Sequence, residues 1–516
     1  MRLWTGLAMA GAAAMLAACG GGSDPGGNTD IDLSGARGSL MYSPPLQVTA
    51  LGAADFTARL QGGGTSGQTL LAVTGAPKCD VSFRYFEYGT VGGAGEATNA
   101  SGALMVPSGT AAGCNGPHPI VLYAHGTTTD RGYNIADITD PARPGASEGT
   151  LLAAMFAAQG FIVVAPNYAG YDVSSLGYHP YLDADQQSKD MIDALTAARK
   201  ALPAVGGEDS GALFITGYSQ GGHVAMATQR ALQAAGQRVT ASAPMSGPYA
   251  LAAFGDAIYY GSVDLGATVF APMLATSYQK AYGNIYSQPS DLFEATYAPG
   301  IDTLLPSYTP MSDLFAQGKL PQTQLFSSTP PAPGFESITP PTQPPELAPL
   351  FALGFGSNNL IKNSARLAYL MDAQANPDGA IPQVTTGMPA ATPGNTMRQA
   401  FVKNDLRGWT PQSPTLLCGG DADPTVFYSV NTGLMAQLWS PLVTAHLVTV
   451  LDVDSAPSGA DDPFAAAKMG FAQAKAATAA QGGANAVVQA YHGTLVPPFC
   501  TAAARGFFQQ VLASAH

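Results

Sequence analysis

Apolar residues recur along this chain in two rhythms. Val81–Tyr88 and Gly102–Val106 read as strands, and Pro119–Ala124, Phe161–Ala165, Leu213–Thr216 and Val239–Pro244 are short, nearly continuous apolar runs of the kind buried strands show. Helical stretches separate them: Glu148–Gln159, Ala184–Leu202 with Met191, Leu195 and Leu202 on one face, and His223–Ala235. Buried strands alternating with amphipathic helices predict an α/β protein, a mostly parallel sheet covered by helices on both faces.

The alternation stops near Tyr249 and resumes with a strand at Thr415–Gly419. A helix over Ser429–Leu438, a strand over His446–Val453, a helix over Ala465–Ala480 that should pack on the sheet, and a last helix after Cys500 follow. Inside the gap, Pro299–Pro349 carries 12 prolines in 51 residues. Proline has no N–H to give to a ladder, so this stretch must lie outside the sheet. The pattern divides the chain into a leader (1–19), a tether (20–40), a first core segment (41–249), a cap (250–410) that is helical at both ends with an irregular middle, and a second core segment (411–516).

Composition narrows the function. With 46% hydrophobic residues the chain can bury a core, and 22 Lys and Arg against 35 Asp and Glu give a net charge of −13. No basic run suited to a phosphate backbone occurs, so nucleic acid is excluded as a partner. Asp452, Asp454, Asp461 and Asp462 lack the spacing of a calcium loop, and no zinc pattern is present, so neither metal nor cofactor is expected. Trp409 and Trp439 read as core or cap-hinge residues.

The N-terminus has Met1-Arg2, an apolar stretch too short for a confident membrane span, and then Leu16-Ala17-Ala18-Cys19 before Gly20–Ser23. This resembles a bacterial lipoprotein signal. It implies lipidation of Cys19, an anchor that does not cross the bilayer, and a place in the cell envelope or a secreted state. Four cysteines remain, Cys79, Cys114, Cys418 and Cys500, which suit two disulfides in an oxidising compartment. Three pairings are possible. Cys79–Cys114 and Cys418–Cys500 are favoured, because each joins segments that the fold reading makes neighbours.

Gly217-Tyr218-Ser219-Gln220-Gly221 matches G-x-S-x-G. So does Gly145-Ala146-Ser147-Glu148-Gly149, and context separates the two. The motif needs a strand entering and a helix leaving, so that a strained turn lifts the serine hydroxyl above the sheet. Ser219 has both. Ser147 follows a turn-rich loop and should cap the helix near Glu148.

A serine needs a base, and the base needs an orienting carboxylate. Asp423, just past Thr415–Gly419 in a Gly-x-x-Asp-x-x-Val loop, is the expected acid, with Asp421 and then Asp454 as alternatives. Among seven histidines, His516 is terminal, His446 reads as strand, and His118 and His179 fall in loops before prolines. His223 reads as packing beneath Ser219 and His125 as structural. His492, after the last strand and before the final helix, is the expected base. The oxyanion donors should be the backbone N–H of Gln220 and of Thr127, the latter in the loop His125-Gly126-Thr127-Thr128.

On His125-Gly126, Gly217–His223, Asp423-Pro424-Thr425-Val426 and His492-Gly493-Thr494, the chain resembles the α/β-hydrolase superfamily, and within it the secretory lipases and bacterial lipoprotein esterases. The resemblance covers 80–250 and 411–516. It implies an acyl-enzyme mechanism without metal or cofactor, and a cap between the sixth and seventh strands. Phe270, Met273, Leu274, Phe351 and Phe355 would line an acyl pocket or pack inside the cap. The expected activity is hydrolysis of a small-molecule or lipid ester by a monomer. A peptidase or an acyltransferase with the same residues is the alternative, and a noncatalytic binding lipoprotein is a third reading.

Overall fold

In the computed structural model, which describes residues 36–514, the predicted strands join one sheet. In chain order they are β1 (Leu46–Leu51), β2 (Asp80–Val91), β3 (Ala97–Ser108), β4 (His118–Ala124), β5 (Ile162–Pro166), β6 (Asp209–Tyr218), β7 (Ala241–Met245), β10 (Thr415–Gly419) and β11 (Val448–Asp452), with a separate two-residue pair, β8 (Phe326–Ser327) and β9 (Phe355–Gly356). The sheet order is β1-β2-β3-β5-β4-β6-β7-β10-β11. Pairing is antiparallel from β1 to β5 and parallel from β5 onward. Every residue of β5, β7 and β10 is buried, as continuous apolar runs require when both faces are covered.

Helices α4 (Ala184–Ala201) and α5 (Gln220–Ala234) pack on one another and on the sheet, while α14 (Val496–Ser514) packs with α2 (Gly64–Thr74) and α3 (Ala146–Met155). Phe508 of α14 stacks on Phe214 of β6 at 4.5 Å between ring centroids. Three elements carry no clear signal in the sequence: β1, α1 (Ala53–Gly62) and α2. Residues 36–40, assigned to the tether by composition, already lie against the sheet, since Gly38 N–H donates to the Gly89 carbonyl and Leu40 pairs with Tyr88. The leader, Cys19 and the rest of the tether lie outside the described residues, as does His516.

Other expectations change. His118 is the first residue of β4, and His446 sits in a turn before β11 at φ 70°, not within a strand. The predicted Ser429–Leu438 helix ends as α12 (Leu434–Trp439), and the predicted Ala465–Ala480 helix continues as α13 to Ala490 with a break at Gly483, where φ is 73° and ψ −169°. It packs on α14 and the turn Tyr491–Leu495 rather than on the sheet, and Phe471 is its buried residue. Both favoured disulfides form, Cys79–Cys114 and Cys418–Cys500.

The segment between β7 and β10 has its own apolar core, which includes Met273, Tyr278, Phe326, Tyr369 and Phe401. It lies between the seventh and eighth strands of the sheet, not the sixth and seventh, because β1 adds an edge strand. It opens with α6 (Leu251–Tyr259) and α7 (Ala267–Tyr282) and closes with α10 (Asn363–Ala375) and α11 (Thr396–Asn404), with short helices α8 (Met311–Ala316) and α9 (Ala348–Ala352) between. The Pro-rich middle cannot close backbone ladders, and Arg366 takes up part of that role. Its buried guanidinium donates to the carbonyls of Tyr259 and Ile338 and to the Thr339 hydroxyl, over the Phe326 ring. The return to the core is fixed by Arg407, fully buried between Asp378 and Asp405, while Asp405 also accepts from the Ala252 N–H.

Candidate active site

β6 enters and α5 leaves a turn at Ser219, whose backbone sits at φ 60°, ψ −123°. Such a conformation strains any residue with a Cβ and persists only where its surroundings enforce it. The glycines around it have a steric reason. A Cβ on Gly217 or Gly221 would run into the Ala124 carbonyl oxygen, and one on Gly222 into that of Met245. The α5 backbone therefore lies directly on the ends of β4 and β7, and the serine side chain is forced upward.

Asp423 lies four residues beyond β10, and His492 lies in the single turn between α13 and α14. The His492 Nδ1–H donates to Asp423 Oδ2 at 2.6 Å, and Ser219 Oγ lies 2.8 Å from His492 Nε2. Asp423 Oδ1 accepts from the N–H groups of Thr425 and Val426, at 2.9 and 3.0 Å, which fixes the carboxylate. The carboxylate orients the imidazole, leaving Nε2 free to accept the serine proton. Asp421 is exposed and its amide donates to Asp452, while the His492 Nδ1 bond goes to Asp423. Asp454 instead holds Lys475 and the Tyr491 hydroxyl.

Ser147 stands apart from this group. It is exposed in the first turn of α3, whose N-cap is Gly145 with no side-chain cap, so it is not a capping residue either. His223 is buried under the turn and donates from Nε2 to the Asn404 carbonyl, and burial lowers its pKa to about 4. His125 is also buried, with its ring nitrogens facing the carbonyls of Gly126 and Asn167, and burial lowers its pKa.

Thr127 follows Gly126, where an added Cβ would stand 3.8 Å from Ser219 Cβ, so this loop flanks the serine. Neither the Thr127 nor the Gln220 amide N–H donates to a backbone carbonyl among the described residues.

Several contacts escaped the sequence reading. Gln220 Nε2 donates to His179 Nε2 at 2.6 Å, while His179 Nδ1–H donates to the Ala169 carbonyl. Burial lowers the His179 pKa to about 3, which keeps that nitrogen an acceptor. The Thr127 hydroxyl bonds that of Tyr181 at 2.8 Å. The Tyr491 hydroxyl accepts from the Ala422 N–H and so ties the turn of His492 to the loop of Asp423. Only the adjacency of Gln220, His492 and Asp423 to these partners in the fold reveals them.

Above Ser219 opens a cavity lined by apolar side chains of the insertion, among them Leu251, Phe254, Ile258, Phe270 and Leu274. Of the expected lining residues, Phe270 and Leu274 face it. Met273 and Phe355 pack in the core of the insertion, and Phe351 packs on Phe427.

No protein-family model matches the chain, and no curated protein matches it. The structure is similar to a ligand-bound form of the rice cell wall degrading esterase LipA from Xanthomonas oryzae, at 26% sequence identity and a TM-score of 0.65, over 93% of this chain and 100% of that one. A second LipA structure gives 28% identity and a TM-score of 0.61, over 87% of this chain and 98% of that one. A protein of Legionella pneumophila described as a hydrolase shares the fold at 18% identity and a TM-score of 0.59, over 90% and 96% of the two chains.

Proposed function

For a chain that has the α/β-hydrolase fold and is related to its esterases and lipases, we propose a serine hydrolase that cleaves carboxylic esters through an acyl-enzyme. The observation that carries this reading is the pair of short contacts from His492 to Ser219 and Asp423 at the floor of an apolar cavity. His492 takes the Ser219 proton as Oγ attacks the ester carbonyl. The tetrahedral oxyanion is met by the N–H groups of Gln220 and Thr127. His492 then protonates the departing alkoxide, and a water activated by the same imidazole releases the acid. The esterase neighbour at 26% identity favours esters over amides.

The leader reading extends the proposal. Cys19 carries the lipid, the protein sits in the bacterial cell envelope or is secreted, and it works as a monomer. Two disulfides suit that compartment, and no described helix is long and apolar enough to cross a membrane. Replacement of Cys19 by Ala should abolish incorporation of a clickable fatty acid.

A panel of p-nitrophenyl esters of rising chain length beside aminoacyl anilides tests the activity. Esters should be preferred, with a rise in kcat/KM as the chain fills the cavity. Preference for anilides supports the peptidase alternative. Transfer of the acyl group to an added alcohol in preference to water supports the acyltransferase.

A further inference from the structure

One group in the cavity does not fit its surroundings. Asp264, in the loop between α6 and α7, lines the same cavity as Ser219, yet it is 5% exposed and neither carboxyl oxygen has a hydrogen-bond partner on another of the described residues. A buried carboxyl without a partner is costly, and a fold retains one where something else uses it. The Leu265 N–H donates to the Pro424 carbonyl at 3.0 Å, which fixes the main chain next to Asp264 against the loop of Asp423.

We propose that Asp264 is a specificity residue that hydrogen-bonds a hydroxyl group carried on the acyl chain of the substrate. The proposal rests on the ester-hydrolase reading and names the substrate class within it, esters of hydroxy acids. The chemistry of the site selects that class. Burial favours the uncharged acid and outweighs the pull of the residue's own backbone N–H on the charged form, and the nearby Asp423 carboxylate acts in the same direction as burial, so the carboxyl is held well above its ordinary range. A protonated carboxyl presents one O–H donor and one C=O acceptor, which is the complement of an alcohol. An ammonium group offers donors alone and would have to shed its own hydration in an apolar cavity. An unsubstituted alkyl chain leaves both oxygens unpaired, as they are now.

The test uses ethyl hexanoate, ethyl hydroxyhexanoates with the hydroxyl moved from carbon 3 to carbon 6, and ethyl 6-aminohexanoate. Each is hydrolysed by the full protein and by the Asp264→Leu and Asp264→Asn variants. At least one hydroxy isomer should exceed ethyl hexanoate in kcat/KM by tenfold or more with the unaltered protein. That ratio should fall to about one in Asp264→Leu and persist in Asp264→Asn, whose amide keeps a donor and an acceptor. No preference for any isomer, an equal preference in Asp264→Leu, or a greater preference for the amine overturns the proposal, and hydrolysis of ethyl hexanoate then leaves the esterase reading standing. If no ester is cleaved, both fall.

Discussion

The Tyr218 hydroxyl donates a 2.6 Å hydrogen bond to the backbone carbonyl of His492, 274 residues further along the chain. The residue before the serine thereby holds the main chain of the histidine that would serve it, and the two rings lie 5.1 Å apart. Tyr218→Phe removes this tie and leaves the ring in place. Loss of one such bond is expected to lower stability by about 1 kcal/mol and kcat by roughly tenfold, with KM little changed. Steady-state kinetics and a urea melt on the same preparation check both numbers.

The turn at Ser219 depends on bare backbone. Gly221→Ala places a methyl against the carbonyls of Ala124 and His125. It should cost several kcal/mol and lower activity steeply in whatever folds. Gly506→Ala, in α14 with open space around the added methyl, is the control and should be neutral or stabilising by about 0.5–1 kcal/mol. Thermal melts of the two variants side by side decide the matter.

The Cys418–Cys500 bridge joins β10, which leads to Asp423, to the helix that follows His492. Replacing both cysteines by serine releases a loop of 82 residues, and the expected loss is about 4 kcal/mol. Activity of the surviving folded fraction should fall as well, because Asp423 and His492 are no longer held to one frame. Unfolding midpoints with and without reductant, compared with the serine variant, measure the first effect.

Two buried histidines set an acid limit on stability. Folding holds His179 at a pKa of about 3 and His223 at about 4, against 6.5 in the open chain. Below pH 6.5 the unfolded state therefore binds protons that the folded state refuses, and stability present above 6.5 is lost as pH falls. Well below pH 6.5 each group removes about 1.4 kcal/mol per pH unit, so the two histidines together take away roughly 3 kcal/mol between pH 6.5 and 5, against an opposing gain from the buried carboxyls of Asp183 and Asp190, held up at about 6 and about 7. His223→Gln should remove about half of the histidine contribution, so that its stability at pH 5 relative to pH 6.5 exceeds that of the unaltered protein by about 1.5 kcal/mol, as read from urea midpoints.

Much of this architecture is legible in the residues themselves. β4, β5, β6, β7 and β10 announce themselves as apolar runs because both their faces are covered, and Ser219 is marked by the glycines its turn requires. β1, α1 and α2 are not legible, since glycines at 62–64 and 67 interrupt the pattern that Phe56 and Leu60 begin. His446 misleads because the apolar run continues through it while the backbone turns. The cavity is only half readable. Phe270 and Leu274 are one helical turn apart and share a face, whereas Met273 points into the core of the insertion. Asp264 and the Arg366 hub carry no signal along the chain, because their meaning comes from partners, or the lack of them, assembled only on folding.

Phosphonylation asks directly whether Ser219 is the nucleophile served by His492. The full protein is treated with a fluorophosphonate, digested and mapped by mass spectrometry, while ester turnover is followed in parallel. One adduct is expected, on the peptide carrying Ser219, with turnover lost in proportion to labelling. Ser219→Ala should take no label and lose about 10⁶ in kcat while still folding. An adduct on another residue, or full ester turnover by Ser219→Ala, would contradict that role for Ser219.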